Sequence, residues 1–171
     1  FLEMLEAGYA GVAEFHYLHH DVGGAAYSNL GELSERIVAA AEHVGIGLTL
    51  LPVLYQWGGC DSRALQGGQQ RFGNTPEGYL RLHEAAAQAV RGSHGDYAIG
   101  VAPHSLRAVD VAGMGAALST AGNGPIHMHL AEQVAEVEEV KAAWGARPVE
   151  WLFDNHEVDA RWCLIHATQM N

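Results

Sequence analysis

Three short apolar segments of this sequence end in a histidine, a residue that often binds metal ions. The histidines are His104, His129 and His166, and Glu132 follows His129 after three residues. A carboxylate at that distance can carry protons beside a metal-bound group. The segments read as parallel strands, whose carboxyl ends lie at the same edge of a sheet. We therefore expect the three imidazoles to converge on one site.

Alternation along the strand 126–131 separates two kinds of side chain. One face carries His127 and His129, and the other carries Ile126, Met128 and Leu130. The apolar face should lie under helices, which leaves the histidines on the opposite face. His129, nearest the strand end, is the candidate metal ligand, and His127 is more typical of a structural residue. A hydrogen-bonded core histidine is the alternative for His129.

Other residues near strand ends are candidates for substrate binding. Arg107 follows His104 in the segment APHSLR, and a guanidinium can bind a carboxylate through two parallel hydrogen bonds. An exposed surface arginine is the alternative. Tyr17, at the end of the first strand, could donate a hydrogen bond to a substrate. His166 could orient a water molecule, or simply pack against Trp162.

Two further groups look less informative. The loop residues His19, His20 and Asp21 could bind a metal, but exposed loop histidines usually have no such role. The glutamates that follow the second histidine segment are predicted to form a solvated helix face, and the alternative for Glu132 itself is a carboxylate at the N-terminus of a helix. They are Glu132, Glu136, Glu138 and Glu139.

The composition suits one globular enzyme domain. Of 171 residues, 49% are hydrophobic, and 20 acidic residues against 9 basic ones give a formal charge of −11. Nucleic acid is an unlikely class of partner, because binding it needs a basic face. No apolar run approaches the length of a membrane helix. Cys60 and Cys163 match no metal or disulfide spacing, which fits a reduced cytoplasm and a small-molecule substrate.

Strands and helices alternate along the chain, which predicts parallel strands joined by helical crossovers. The predicted strands are 8–17, 46–55, 97–103, 126–130 and 162–166, and the predicted helices are 30–44, 76–90, 109–120, 133–144 and 148–153. An open doubly wound sheet and part of a (β/α)8 barrel both fit. No glycine-rich phosphate motif follows a strand, and polar residues at several strand ends favour the barrel.

Six segments, in order, resemble the N-formimino-L-glutamate deiminases of the amidohydrolase superfamily, which are zinc-dependent (β/α)8 barrels. They are AEFHYLHHD, GIGLTLLPVLY, VAPHSLRAV, HMHLAEQ, RPVEWLFD and RWCLIHAT. The resemblance implies hydrolysis of N-formimino-L-glutamate to N-formyl-L-glutamate and ammonia, a step in histidine degradation. Residues 1–171 would then be a single central fragment of the catalytic barrel, about strands 2 to 6, without strand 1 and strands 7 and 8.

The resemblance also implies a role for each candidate residue. His129 resembles the zinc ligand of the fifth strand, Glu132 the catalytic acid/base, and His166 the catalytic histidine beside the attacking water. Substrate-binding residues of the family correspond to Tyr17, His104 and Arg107. The family's other zinc ligands, a His-x-His pair and an aspartate, have no counterpart here. Gln169 stands where a histidine was expected.

These assignments lead to further expectations about the isolated chain. With one zinc ligand of four, it should bind zinc weakly or not at all and be inactive. Edge strands left unpaired should favour a homo-oligomer. Two other functions remain open on sequence: another amidohydrolase deaminase acting on a cyclic amidine such as a purine or pyrimidine, or a non-catalytic α/β binding domain.

Overall fold

The computed structural model describes residues 1–171 and is a mixed α/β structure. Its strands are β1 (Gly11–His16), β2 (Gly47–Leu54), β3 (Tyr97–Ile99), β4 (Ala102–Pro103), β5 (Ile126–Leu130) and β6 (Trp162–His166). Its α-helices are α1 (Leu2–Glu6), α2 (Glu32–Val44), α3 (Pro76–Arg91), α4 (Val111–Thr120), α5 (Val134–Trp144) and α6 (Pro148–Asn155). A short 3₁₀ helix, Gly67–Arg71, lies in the long loop after β2. None of the six α-helices has the length and apolarity needed to cross a lipid bilayer.

Local sequence signals set the helix ends that position the strands. Thr75 caps α3, because its Oγ1 accepts a hydrogen bond of 3.0 Å from the backbone N–H of Gly78. Pro76 follows at the first helical position, where its missing N–H costs nothing. At the C-terminal end of α2, Gly45 stops the helix in a left-handed conformation with φ of 78°. The end of α2 and the start of α3 agree with the predicted helices 30–44 and 76–90.

Removing the Thr75 cap should destabilise the protein measurably. We expect Thr75→Ala to lower the free energy of unfolding by about 1 kcal/mol, because the Gly78 N–H loses its partner. Urea unfolding monitored by circular dichroism measures the loss. Thr75→Ser keeps the hydroxyl and should remain close to the parent protein. Equal stability of the alanine and serine variants would contradict this account of the α3 boundary.

The strands are parallel and neighbour one another in chain order. β2 pairs with β1 on one side and with β3 and β4 on the other, and β5 pairs with β6. A bridge between Val101 and Ile126 joins these two groups. Across the same junction, His127 N–H donates to the Val101 carbonyl at 2.9 Å and His129 N–H to the His104 carbonyl at 3.0 Å. The strands do not close into a barrel, so β1 and β6 are edges.

The third predicted strand, 97–103, is divided into β3 and β4 at Gly100. A Cβ at Gly100 would lie 2.3 Å from the Pro125 carbonyl oxygen, so only glycine allows this approach of the two backbones. The Gly100 N–H donates to Leu50 O at 2.9 Å, and His83 Nε2 lies 3.1 Å from Gly100 O. At this break the backbone bonds to both sides, to β2 through Leu50 O and to the residue before β5 through Pro125 O.

The main core lies between the strands and the helices α3 to α6. Met128 and Leu130 of β5 are fully buried in it, whereas His127 and His129 are only half-buried. This is the alternation expected from the sequence, with the apolar face under the helices. The opposite face of β5 is consequently the one that presents histidines, together with the side chains of neighbouring strands on that face.

Candidate functional site

The three histidines at the strand ends lie side by side. The ring centroids of His104 and His129 are 5.0 Å apart, and those of His129 and His166 are 5.4 Å apart, with the latter two rings stacked. They come from the residue after β4, from β5 and from β6 respectively. The convergence expected from the sequence is therefore present. Adjacent parallel strands cause it, because their carboxyl ends share one edge.

His129 is held in an orientation that suits metal binding. Its Nδ1 lies 3.3 Å from the His104 carbonyl oxygen, so this nitrogen carries the proton and Nε2 keeps a free lone pair. Burial lowers the pKa of His129, and the nearby His166 lowers it further, against the opposing effect of the His104 carbonyl and of Glu132. The ring is thus a neutral imidazole, the form that acts as a ligand.

His104 is also a neutral imidazole. Burial, followed by the neighbouring His129 and Arg107, lowers the pKa of His104 to about 3. Its Nδ1 lies 2.9 Å from the Ser105 hydroxyl, and its ring packs 4.5 Å from Tyr55 and 5.5 Å from Tyr17 between centroids. A ring fixed in this way can offer a hydrogen bond to a ligand without changing its charge near neutral pH.

Glu132 and His166 face each other across the ends of β5 and β6. His166 Nε2 lies 3.8 Å from Glu132 Oε2, and about a third of each side chain is exposed, 38% and 36% respectively. They are therefore reachable from solvent on the side where His129 also lies. A carboxylate and an imidazole at this separation can move a proton to or from a group placed between them.

The backbone at these two strand ends is unusual. Ala131, His166 and Ala167 have positive φ angles of 51°, 72° and 49°, and Ser62 is the one other non-glycine residue of this kind. Left-handed non-glycine residues persist only where the surroundings hold them, and they often occur at functional sites. Gln169, unexpected in the sequence, helps through its backbone: its N–H donates to Ala131 O at 2.8 Å.

Tyr17 and Arg107 border the histidines. The Tyr17 ring centroid is 6.4 Å from that of His129, and burial, with the negative charge of Glu132 among the lesser causes, raises the pKa of Tyr17 to about 12. Its hydroxyl therefore stays protonated and can donate. Arg107 is half-buried, and its Nε has no hydrogen-bond partner. A half-buried guanidinium whose hydrogen bonds are not all used within the chain is a candidate anion-binding group.

The burial of Glu136 was misjudged from the sequence. Glu136 was predicted to lie on a solvated helix face, but only 2% of it is exposed. Its Oε1 accepts from Ala131 N–H at 3.0 Å and its Oε2 from Glu132 N–H at 2.9 Å. The signal was present in the chain, since a carboxylate four or five residues after free N–H groups can fold back on the start of its own helix.

His19 and His20, in the loop after β1, were also misjudged as exposed, since both are buried. His19 Nε2 lies 2.8 Å from Val53 O, and His20 Nε2 lies 2.9 Å from Gly73 O. These rings fasten the loop after β1 to the strand β2 and to the start of α3. Their role is structural. The structure therefore does not support the metal site that the sequence suggested for this loop.

Burial of these imidazoles makes stability depend on pH. Burial, with a lesser contribution from His16, lowers the pKa of His19 from 6.5 to about 3. Between those values the unfolded chain binds more protons than the folded one, so the free energy of unfolding falls as pH drops from about 6.5 toward 3. We expect His19→Gln, whose amide can keep the bond to Val53 O, to flatten this dependence in urea unfolding at pH 7 and pH 5. An unchanged pH slope would contradict the assignment.

The residues of this chain do not form a complete metal site. No group of three or more His, Cys, Asp or Glu side chains is arranged to hold a metal ion. A catalytic zinc uses three protein ligands, and His129 fits the requirements of one. The cluster also lies on an open face, because none of the five cavities is lined by His104, His129 or His166.

Comparison with known proteins points to one family. The chain is 46% identical over 169 residues to the formimidoylglutamate deiminase of Pseudomonas aeruginosa strain PAO1, a match that covers 98% of the chain and 37% of that protein. A crystal structure of an amidohydrolase from Brucella melitensis superposes with a TM-score of 0.92 at 51% identity, over 97% of the chain and 37% of that protein. No protein-family model matches the chain.

A more distant structure shares the fold. The zinc-bound adenosine deaminase of Xanthomonas campestris superposes with a TM-score of 0.75 at 19% identity, over 99% of the chain and 33% of that protein. The chain thus spans little more than a third of the length of the relatives it matches. The resemblance found in the sequence is confirmed: over that third, the chain is similar in sequence to a formimidoylglutamate deiminase and in structure to an amidohydrolase.

Proposed function

We propose that the protein of which this chain forms part hydrolyses N-formimino-L-glutamate. Water adds to the formimino carbon, the bond from that carbon to the terminal nitrogen breaks, and N-formyl-L-glutamate and ammonia leave. This is a step of histidine degradation. The observation that carries the proposal is the convergence of His104, His129 and His166 beside Glu132, in a chain 46% identical to a formimidoylglutamate deiminase.

The proposed architecture is part of a (β/α)8 barrel, with residues 1–171 supplying about strands 2 to 6 as one catalytic fragment. Parallel strands that follow one another in chain order support it, because a doubly wound sheet reverses its strand order. The site residues at the carboxyl ends of strands support it as well. Strand 1 and strands 7 and 8 would come from outside the chain and pair with the edges β1 and β6.

Each candidate residue has a proposed role in this reaction. Glu132 passes protons between the attacking water and the leaving nitrogen, and His166, 3.8 Å away, orients that water. Arg107 binds a carboxylate of the dianionic substrate, which a chain of formal charge −11 would otherwise repel. Tyr17 and His104 donate hydrogen bonds that orient the substrate. Both side chains are uncharged.

Zinc is the proposed cofactor of the complete protein. The structural relatives include zinc-bound enzymes, and His129 presents a free Nε2 on the open face. The other ligands must come from residues outside this chain. We therefore expect the isolated chain to bind zinc weakly or not at all in calorimetric titration, and to be inactive.

An ammonia-release assay of the full-length protein tests the proposed reaction. N-formimino-L-glutamate should be turned over in the presence of zinc, and adenosine and guanine should not. Preferential turnover of either purine compound would replace the proposal with deamination of a cyclic amidine. The 171-residue chain, assayed in parallel, should release no ammonia, and robust turnover by it would show that the remaining ligands are not needed.

The cellular setting follows from the same proposal. A small anionic metabolite as substrate and two free thiols, Cys60 and Cys163, fit a cytoplasmic enzyme. The isolated chain should form a homo-oligomer, because the edges of β1 and β6 expose unpaired backbone groups. Light scattering of the purified chain measures this state directly, and a monomer at all concentrations would contradict it.

A further inference from the structure

Glu136 is the most buried carboxylate near the site, and it has no cationic partner. It lies on α5 with 2% exposure, and no Lys, Arg or His side chain forms an ion pair with it. Burying a charge is costly unless hydrogen bonds compensate for it. Both oxygens are compensated by backbone N–H groups, those of Ala131 at 3.0 Å and Glu132 at 2.9 Å. The site therefore contains a buried charge directed at the backbone of Glu132.

Thr168 holds the same two residues from the side of β6. Its Oγ1 lies 2.6 Å from Glu132 O and 3.2 Å from Ala131 O, so the hydroxyl can donate to either carbonyl. The Gln169 N–H adds a bond of 2.8 Å to Ala131 O. The N–H groups of residues 131 and 132 are thus bound by α5, and their carbonyl groups by the segment after β6.

These bonds act on a backbone conformation that needs support. Ala131 has a φ of 51°, a left-handed conformation that alanine rarely adopts. The conformation of Ala131 sets the direction in which Glu132 leaves the strand. Without the bonds from Glu136 and Thr168, the ordinary right-handed conformation would be favoured and the Glu132 carboxylate would turn away from His166.

We propose that Glu136 and Thr168 are positioning residues, which fix the Glu132 carboxylate opposite His166 by holding the peptide groups of residues 131 and 132. The inference rests on the proposed function for its kinetic consequence, because Glu132 is the proton carrier there. Its structural consequence, protection of the Ala131 and Glu132 N–H groups, is independent of the reaction catalysed. The two consequences can therefore be tested separately.

The first test uses Glu136→Gln in the full-length enzyme. Glutamine keeps one acceptor oxygen but sets an NH₂ group against the second backbone N–H, so Glu132 should shift. We expect kcat to fall by about 10- to 100-fold, since a displacement of about 1 Å can cost about 100-fold. KM should change by less than about 3-fold, because Glu136 does not touch substrate. The matched control is Glu138→Gln, an exposed residue of the same helix, which should leave both constants unchanged.

The second test covers the case in which Glu136→Gln does not fold. Thr168 is exposed, so Thr168→Val removes the hydroxyl with little change of packing. We expect a smaller fall in kcat, with KM retained. Thr168→Ser keeps the hydroxyl and should restore the parent rate. If the valine and serine variants have equal kcat, the positioning role of Thr168 is wrong.

Amide hydrogen exchange, followed by NMR, separates failure of this inference from failure of the proposed function. In the parent enzyme the Ala131 and Glu132 N–H groups should exchange slowly, and Glu136→Gln should accelerate both. Accelerated exchange supports the inference even if N-formimino-L-glutamate is not the substrate. Unchanged exchange at both amides, or an unchanged kcat in an enzyme that does turn over N-formimino-L-glutamate, would overturn it.

Discussion

Glu132→Gln in the full-length protein is expected to reduce kcat by about 10²- to 10⁴-fold, with little change in KM. Glu132 is the carboxylate that faces His166 at 3.8 Å on the open side of His129. Glutamine has the same shape and leaves the backbone bonds to Glu136 and Thr168 in place, but it cannot carry a proton. Steady-state ammonia release measures the loss.

The controls for Glu132→Gln separate chemistry from folding. Thermal unfolding of the variant should match that of the parent, because the Glu132 side chain is 36% exposed and makes no hydrogen bond in the protein. Glu132→Asp, which retains a carboxylate at a shorter reach, should recover part of the rate. If Glu132→Gln kept more than about a tenth of the parent kcat, another group would have to carry the proton.

Arg107→Met is expected to weaken substrate binding strongly. Loss of a hydrogen bond to a charged group costs about 1.5–3 kcal/mol, which corresponds to a rise in KM of roughly 10- to 150-fold. Arg107 is half-buried, and its Nε has no hydrogen-bond partner within the chain. Methionine retains much of the side-chain volume. Arg81→Met, on the exposed face of α3, is the matched control and should leave KM unchanged.

A modified substrate makes the Arg107 test specific. In N-formimino-L-glutamine an amide replaces the side-chain carboxylate, so the parent enzyme should bind it more weakly. If Arg107 binds that carboxylate, Arg107→Met should add little further loss with this compound. If Arg107→Met weakened binding of N-formimino-L-glutamine as strongly as it weakens binding of N-formimino-L-glutamate, Arg107 would bind the other carboxylate of the substrate. A variant unimpaired toward both compounds would exclude Arg107 from substrate binding.

Much of the fold was accessible from sequence because the relevant signals are local. β5 and β6 have the predicted bounds, since alternation and turn residues delimit each of them. α3 begins at Pro76 after its Thr75 cap, as predicted. The convergence of His104, His129 and His166 followed from one rule, that parallel strands present their carboxyl ends at a common edge.

The parts that the sequence concealed depend on contacts between distant residues. The division of β3 from β4 arises from the approach of Pro125 to Gly100, which no local pattern records. His19 is buried, and its Nε2–H donates a hydrogen bond to the Val53 carbonyl, 34 positions away. Glu136 is the exception, because its carboxylate folds back onto the Glu132 N–H only four positions away, which is a local signal. The proposed zinc site needs more ligands than the residues of this chain supply.

The narrow junction between the two groups of strands has a consequence for cooperativity. Three backbone hydrogen bonds supply the pairing across it, donated by the N–H groups of Val101, His127 and His129. His104 lies on one side and His129 on the other. A sub-global opening along this line would pull those two imidazoles apart while β1–β2 and β5–β6 remained paired. Loss of the proposed activity on warming would then precede loss of secondary structure, because the candidate site spans this short stretch of backbone pairing.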